Sequence, residues 1–299
     1  MNRKLRAHLL LLAVNFFYGA GFSVAKLVMP QYVKPFAFIL IRVAFAATMF
    51  YTLQRQLIKE EIQRKHLFTL FLCSCFGVVL NQELFFLGLE RTTPINASLI
   101  MITTPMLVYV ISFIAGGENI SLLKIGGIVL GAFGTLMILG GKRFSFSSQT
   151  LLGDIFILLN ATSYAIYLVL VRPLMRVYHP LTVVSYVFLL GLPFVFVLGI
   201  NQLITIQWHT FTPAVWSGLF FIVIATTFLA YLFNMIALRE LGSAVVGAYI
   251  YLQPLLAGFF AFLLGQEDFS SSKIAAAVLI FVGVGLVSLD FSEKKSLTQ

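Results

Sequence analysis

TTPMLVYVISFIAGGENISLLKIGGIVLGAFG, residues 103–134, returns in altered form as LQPLLAGFFAFLLGQEDFSSSKIAAAVLIFVG, residues 252–283. At an offset of 149, Pro105 meets Pro254, Glu118 meets Glu267, Lys124 meets Lys273 and Gly134 meets Gly283. Residues of four types kept in one register point to an internal duplication. Asn15 and Asn160, at an offset of 145, extend the match more weakly to the first helix of each half. The repeat unit therefore covers most of half the chain.

Each copy is dominated by apolar residues, and so is everything around it. Of 299 residues, 60% are hydrophobic, 10% are charged and 31 are Phe. An ordinary globular domain carries about 25% charged residues, so this chain cannot cover a water-facing globule and its solvent is lipid. Ten apolar runs long enough to cross a hydrocarbon core follow one another: Leu9 to Val28, Pro35 to Leu53, Leu67 to Leu89, Ile95 to Ala115, Leu122 to Gly141, Leu151 to Val171, Leu181 to Ile200, Ala214 to Leu238, Ala244 to Gly265 and Ile274 to Leu289. The runs are continuous rather than alternating, which favours helices over a membrane β-barrel. The first run follows Arg3, Lys4 and Arg6 like a signal peptide, but its counterpart in the second half identifies it as a helix of the fold.

The fold expected is an all-α membrane protein of about ten transmembrane helices in two inverted five-helix repeats. Residues 1–141 form the first unit, 142–150 a connecting loop, 151–290 the second unit and 291–299 a cytoplasmic tail. An odd number of spans per unit makes the second unit cross the membrane in the opposite sense, an arrangement characteristic of secondary transporters that bind solute at the midplane between the repeats.

The charge of +9 is distributed asymmetrically. With the N-terminus in the cytoplasm, 13 basic residues lie on that side: Arg3, Lys4, Arg6, Arg55, Lys59, Arg64, Lys65, Lys124, Arg172, Arg176, Arg239, Lys294 and Lys295. Six lie opposite, at Lys26, Lys34, Arg91, Lys142, Arg143 and Lys273. The positive-inside bias places both termini in the cytoplasm, although Lys142 and Arg143 run against it. No nucleic-acid partner is expected.

Pro105 and Pro254 each lie ten residues into their runs, which at about 1.5 Å per residue is about 15 Å, the middle of the bilayer. A proline there makes a kink or hinge, and the carbonyl it frees is either simply left in the kink or available to a ligand. Thr103, Thr104, Tyr249, Tyr251 and Gln253 beside the prolines favour the second reading.

Segments such as LNQELFFLGLERTTPINASLIMITTP (residues 80–105) and NATSYAIYLVLVRP (residues 160–173) resemble the drug/metabolite transporter superfamily, specifically its EamA-type members. The resemblance covers nearly the whole chain. It implies a ten-helix fold, a bacterial inner-membrane location, and export or exchange of small metabolites such as amino acids or amphipathic drugs. The family motif often has an apolar residue where Glu83 stands, so a coupling mechanism shared through that position is not implied.

Glu83 is a carboxylate in the middle of an apolar run, where a charge costs about 2.5–3.5 kcal/mol on insertion scales. Arg42 is its candidate partner, at a similar depth in the second run. Their pairing would serve as a structural clamp, a substrate handle or a proton relay. Asn15, Tyr18, Gln82, Asn160, Ser163 and Tyr164 either line the same cavity or tie helices together. With Thr104, Tyr249 and Gln253 they complete the candidate solute site. Asp154 opens its helix, where a carboxylate suits the helix dipole, and Glu118 and Glu267 cap or pair with Lys124 and Lys273.

Gly127 and Gly131, and Gly19 and Ser23, are spaced for close helix packing within one chain or between two; a monomer is expected, with a dimer as the alternative. Cys73 and Cys75 face different sides of one helix and read as small apolar fillers. No histidine pair has metal-ligand spacing, no nucleophile and base face each other, and no P-loop is present. Neither a cofactor nor a metal nor an enzymatic activity is expected. The function expected is transport of a small solute by alternating access; a scaffold or embedded enzyme without flux is the alternative.

Overall fold

The computed structural model describes residues 2–29, 31–92, 97, 100–117, 119, 121–138, 151–253, 256 and 271–289, and every regular element among them is helical. In chain order these are α1 (Arg3–Val28), α2 (Pro35–Leu53), α3 (Arg64–Ser74), α4 (Leu80–Arg91), α5 (Thr104–Ile114), α6 (Leu122–Ile138), α7 (Leu151–Val171), α8 (Leu174–Val177), α9 (Pro180–Leu203), α10 (Pro213–Phe221), α11 (Ala230–Leu241), α12 (Ser243–Ala248) and α13 (Ser271–Leu289). Among the described residues, five stretches are long and apolar enough to cross a membrane: Pro35–Ile58, Arg64–Gly88, Leu151–Val177, Pro180–Leu203 and Pro213–Leu241. Thr104–Ile114, Leu122–Met137 and Ile274–Ser288 are shorter apolar helices.

Helix ends follow local chemistry. Asn2 caps α1 by accepting the Lys4 N–H at 3.1 Å. Pro35, Pro180 and Pro213 each stand in a first turn, where no N–H is needed. The start of α2 is completed from a distant helix: the Gln202 side-chain oxygen accepts the N–H groups of Phe36 at 2.9 Å and Ala37 at 3.3 Å.

Among the described residues three stretches are π-helical, with an extra residue that breaks the regular ladder. Gln54–Ile58 follows α2, Cys75–Val79 joins α3 to α4, and Ile222–Leu229 joins α10 to α11. The last begins 147 residues after the middle one, close to the offset of the sequence repeat.

The side chains are distributed as lipid requires. Leu122 is 86% exposed and Val197 71%, while Asn15, Gln82, Glu83, Asn160 and Asn234 are buried. A water-soluble protein would reverse these positions.

The most extensive helix pairings among the described residues are α6 with α13, α2 with α9, α4 with α7, α1 with α11 and α5 with α7, followed by α3 with α9 and α5 with α12. The first four and the α5 contact with α12 belong to a set that maps onto itself when the halves are exchanged, α1 and α4 taking the places of α7 and α11. Glycines permit the closest approaches: a Cβ on Gly127 would lie 2.6 Å from the Gly283 carbonyl, and one on Gly153 would lie 2.6 Å from the Thr92 nitrogen. The Gly127 and Gly131 stripe is thus occupied by α13 and by Tyr251 of the same chain, so it is not a free dimerisation face. Cys73 is fully buried and Cys75 partly so, both as free thiols. The side chains of Ser23, Lys26 and Lys273, and all of Glu118, Lys142, Arg143, Pro254, Glu267, Lys294 and Lys295, lie outside what is described.

Candidate functional site

The π turn before α11 shapes the middle of the bundle. Its extra residue displaces the Ile222 carbonyl from the regular ladder, and the hydroxyls of Thr226 at 2.7 Å and Thr227 at 3.0 Å donate to it. Thr227, Tyr231 and Asn234, spaced i, i+4, i+7, are buried at 0%, 7% and 5% exposure. Arg42 of α2 donates from Nε to Thr227 Oγ1 at 2.8 Å, and its guanidinium lies 5.7 Å from the Phe38 ring centre. Its Nη groups have no hydrogen-bond partner among the described residues.

Tyr18 of α1 lies beside the Asn234 side chain and within electrostatic reach of Arg42, Tyr164 and Tyr231. Tyr164 and Tyr231 also interact, and Tyr164 stacks obliquely on Tyr167 with ring centres 6.2 Å apart. Tyr18, Arg42 and Tyr164 are deep among protein atoms, yet each keeps accessible surface. Four helices, α1, α2, α7 and α11, bring these side chains together.

The expected Arg42–Glu83 ion pair does not form. Both Glu83 carboxyl oxygens lack a hydrogen-bond partner, at 6% exposure, while Arg42 takes the Thr227 hydroxyl instead. Equal depth was the basis of the pairing, and depth says nothing of the direction in which each side chain leaves its helix. Phe38 and Phe86, one turn beyond Arg42 and Glu83, do meet edge to face at 6.2 Å.

Several other expected cavity residues tie helices together. Asn160 donates to the Asn81 carbonyl. Ser163 donates to the Phe76 carbonyl at 2.7 Å and Tyr231 to the Gly77 carbonyl at 3.1 Å, so the π turn at Cys75–Val79 is capped from two other helices. Asn15 returns its amide to Leu11 at 2.7 Å within α1, leaving its Oδ1 without a partner. Tyr249 pairs with His8 Nδ1 at 2.8 Å. Thr104 is fully buried, Gln253 is half-buried, and both amide atoms of Gln82 are buried without a partner.

Pro105 does not interrupt a continuous helix. It stands in the first turn of α5, after turn residues at 102 and 103, so no intrahelical bond is lost. Asp154 sits in the first turn of α7 as expected and accepts a short hydrogen bond from Thr92.

Two clefts mark opposite ends of α9. One, of about 210 Å³, is lined by Arg3, Arg6, His179, Arg239 and Glu240; the other, of about 280 Å³, by Gln31, Tyr32, Lys34, Gln202 and Thr205. Burial first, and then Arg239, lower the His179 pKa below the usual 6.5, with Glu60 opposing.

The sequence model of the EamA-like transporter family matches this chain twice, over residues 5–140 and 151–289. The chain belongs to the EamA-like transporter family. It is a multi-pass membrane protein of the drug/metabolite transporter superfamily. The uncharacterized transporter YyaM of Bacillus subtilis is 25% identical over 290 residues, covering 94% of this chain and 93% of that protein. An uncharacterized transporter of Archaeoglobus fulgidus is 29% identical over 217 residues, 71% of this chain and 73% of that one. The WAT1-related protein At3g02690, chloroplastic, of Arabidopsis thaliana is 28% identical over 307 residues, 93% of this chain and 68% of that protein. A protein of known crystal structure shares the fold at a TM-score of 0.77 and 18% identity, over 95% of this chain and 96% of that one. The EamA relatives include named transporters, and the chain is accordingly a transporter-family protein rather than an enzyme.

Sequence reasoning missed Thr227, Tyr231 and Asn234. The signal was present as polar residues at i, i+4 and i+7 within one apolar run, a single helix face.

Proposed function

We propose that this EamA protein is a secondary transporter moving a small organic solute by alternating access, in export or exchange across a bacterial inner membrane. The observation that supports the reading is the cluster of Tyr18, Arg42 and Tyr164, set deep among protein atoms with each keeping some accessible surface. An ordinary packing core would leave no surface there, and a guanidinium placed so deep is costly unless it serves a function.

In this reading residues 1–141 and 151–290 are oppositely inserted five-helix units, both termini are cytoplasmic, and the units rock about this cluster. The doubled family match, the self-mapping helix pairs and the paired π turns support two related units; the odd number of apolar runs in each supports their inversion. Asn15, Gln82, Glu83, Thr104, Asn160, Ser163, Tyr249 and Gln253 belong to the surrounding polar framework, and Pro105 and Pro254 stand at matched positions of the sequence repeat.

The test is flux from liposomes holding the purified protein and a pooled solute mixture. Selective, saturable efflux above protein-free vesicles is the expected result. Absence of flux for every solute, with intact folded protein, would favour a scaffold.

A further inference from the structure

At the end of the bundle that carries the N-terminus, a cleft of about 210 Å³ is lined by Arg3 and Arg6 of α1, His179 at the start of α9, and Arg239 and Glu240 of α11. We infer that this cleft binds the phosphate of an anionic ligand at the membrane surface. The site is separate from the polar cluster in the middle of the bundle, and it stands whether or not the protein moves a solute.

The charge of the cleft is unbalanced. Three guanidiniums share the lining with the single carboxylate of Glu240, which leaves a net +2. None of the three makes an ion pair or a side-chain hydrogen bond among the described residues. Glu60, whose charge also reaches His179, lies outside the lining and accepts the His179 backbone N–H at 2.9 Å. His179 adds a neutral donor to the arginines: its Nδ1 accepts the Leu181 N–H at 3.2 Å, so the ring proton sits on Nε2.

This donor set selects the ligand. A lone carboxylate satisfies one guanidinium fork, whereas a phosphate carries oxygens on several sides and suits forks arriving from two helices, α1 and α11. A zwitterionic headgroup would bring an ammonium to the guanidiniums as a like charge, so a net anion is preferred.

The position fits the same ligand. α1 and α9 begin here and α11 ends here, and Leu5 and Leu9, in the first turns of α1 with Arg3 and Arg6, are exposed apolar residues. The cleft therefore stands where hydrocarbon gives way to headgroups, the level at which basic pockets between spans take lipid phosphate. A soluble phosphate ester offers the same group from the water side.

The experiment uses the purified full-length protein in neutral detergent and two sources of phosphate. Phosphatidylglycerol is compared with phosphatidylcholine of the same chains, and glycerol 3-phosphate with glycerate at equal ionic strength. Bound lipid is counted by native mass spectrometry, and either source is titrated against the thermal unfolding midpoint. The expected result is binding of phosphatidylglycerol, weakened about tenfold or more for each guanidinium removed by Arg3→Gln, Arg6→Gln or Arg239→Gln. Arg64→Gln with Lys65→Gln removes as much charge as the Arg3 and Arg6 pair from the exposed start of α3, which meets Tyr178 on the same face, and changes binding far less. If a cleft variant does not fold, the wild-type protein is treated with phenylglyoxal, and the lipid slows modification of Arg3, Arg6 and Arg239 but not of Arg64.

Binding of the lipid assigns the cleft to a headgroup, binding of glycerol 3-phosphate alone assigns it to a soluble ester, and either upholds the site. The inference is overturned if neither binds, or if phosphatidylcholine and glycerate do as well as their counterparts. It is overturned too if the Arg64 and Lys65 pair matters as much as the Arg3 and Arg6 pair, which would leave only the general attraction of a basic surface.

Discussion

The two π turns that join successive helices, Cys75–Val79 and Ile222–Leu229, are built on the same backbone device and complete it differently. Between α3 and α4 the displaced carbonyls are capped by side chains from other helices, Ser163 and Tyr231. Between α10 and α11 the turn is capped by its own Thr226 and Thr227, and Thr227 is left able to accept Arg42. The first arrangement is a joint that locks three helices. The second is self-sufficient, so its buried Thr227 hydroxyl can still accept from the Arg42 guanidinium. One backbone device occurs in both family-matched stretches, and the side chains around the extra residue set its roles apart.

The contact between halves is where a single change has the largest effect. Gly283→Leu would drive a side chain toward the Gly127 carbonyl, which lies 2.5 Å from the position of a Cβ. Backbone cannot yield as a side chain can, so the variant should lose about 3 kcal/mol or more, read as a fall in thermal stability in detergent. A midpoint unchanged from wild type would mean that α6 and α13 do not meet there.

Thr227→Val and Ser163→Ala separate the two π turns. Thr227→Val removes the acceptor for a charged donor, about 1.5–3 kcal/mol, and should depress solute binding and flux beyond its effect on folding. Ser163→Ala removes one cap from a backbone carbonyl, about 1 kcal/mol, and should lower stability while leaving solute affinity unchanged. Equal effects of both variants on affinity would erase the division of roles.

Glu83→Leu asks what the first half keeps its unpartnered carboxyl for. Replacing a buried group whose oxygens have no donor should stabilise the protein by about 1–2 kcal/mol. A gain in stability with a loss of flux marks Glu83 as functional; a gain with full flux assigns it to neither half of the mechanism.

The smallest effect lies at the cleft beside α9. His179 accepts the Leu181 N–H at 3.2 Å as the helix cap, which requires a neutral Nδ1. Its folded pKa is below the unfolded 6.5, so the folded state binds fewer protons than the unfolded one. The stability it contributes is present above pH 6.5 and is lost as pH falls from there through the folded value. His179→Asn keeps a cap, worth about 1 kcal/mol, and should flatten that part of the stability-against-pH curve.

Much of the fold was legible in the sequence, because hydrophobic length and punctuation determine where helices lie in lipid. The runs Pro35–Leu53 and Leu151–Val171 coincide with α2 and α7, and the Gly127 and Gly131 spacing marked a close helix contact. The site was less legible. Arg42 and Glu83 stood out as charges, but their partners depend on helix rotation, which apolar runs do not encode. Cys75–Val79 and Ile222–Leu229 carry no proline, so the π turns that orient α4 and α11 gave no punctuation to read.

Access to position 164 from the two sides of the membrane tests the central claim most directly. In a protein with Cys73 and Cys75 replaced by Ala, Tyr164→Cys is exposed to a membrane-impermeant thiol reagent in oriented vesicles, from inside and from outside in separate reactions. Labelling from each side, slowed by bound solute, is what alternating access predicts. Labelling from neither side, or from one side only under every condition, would contradict it.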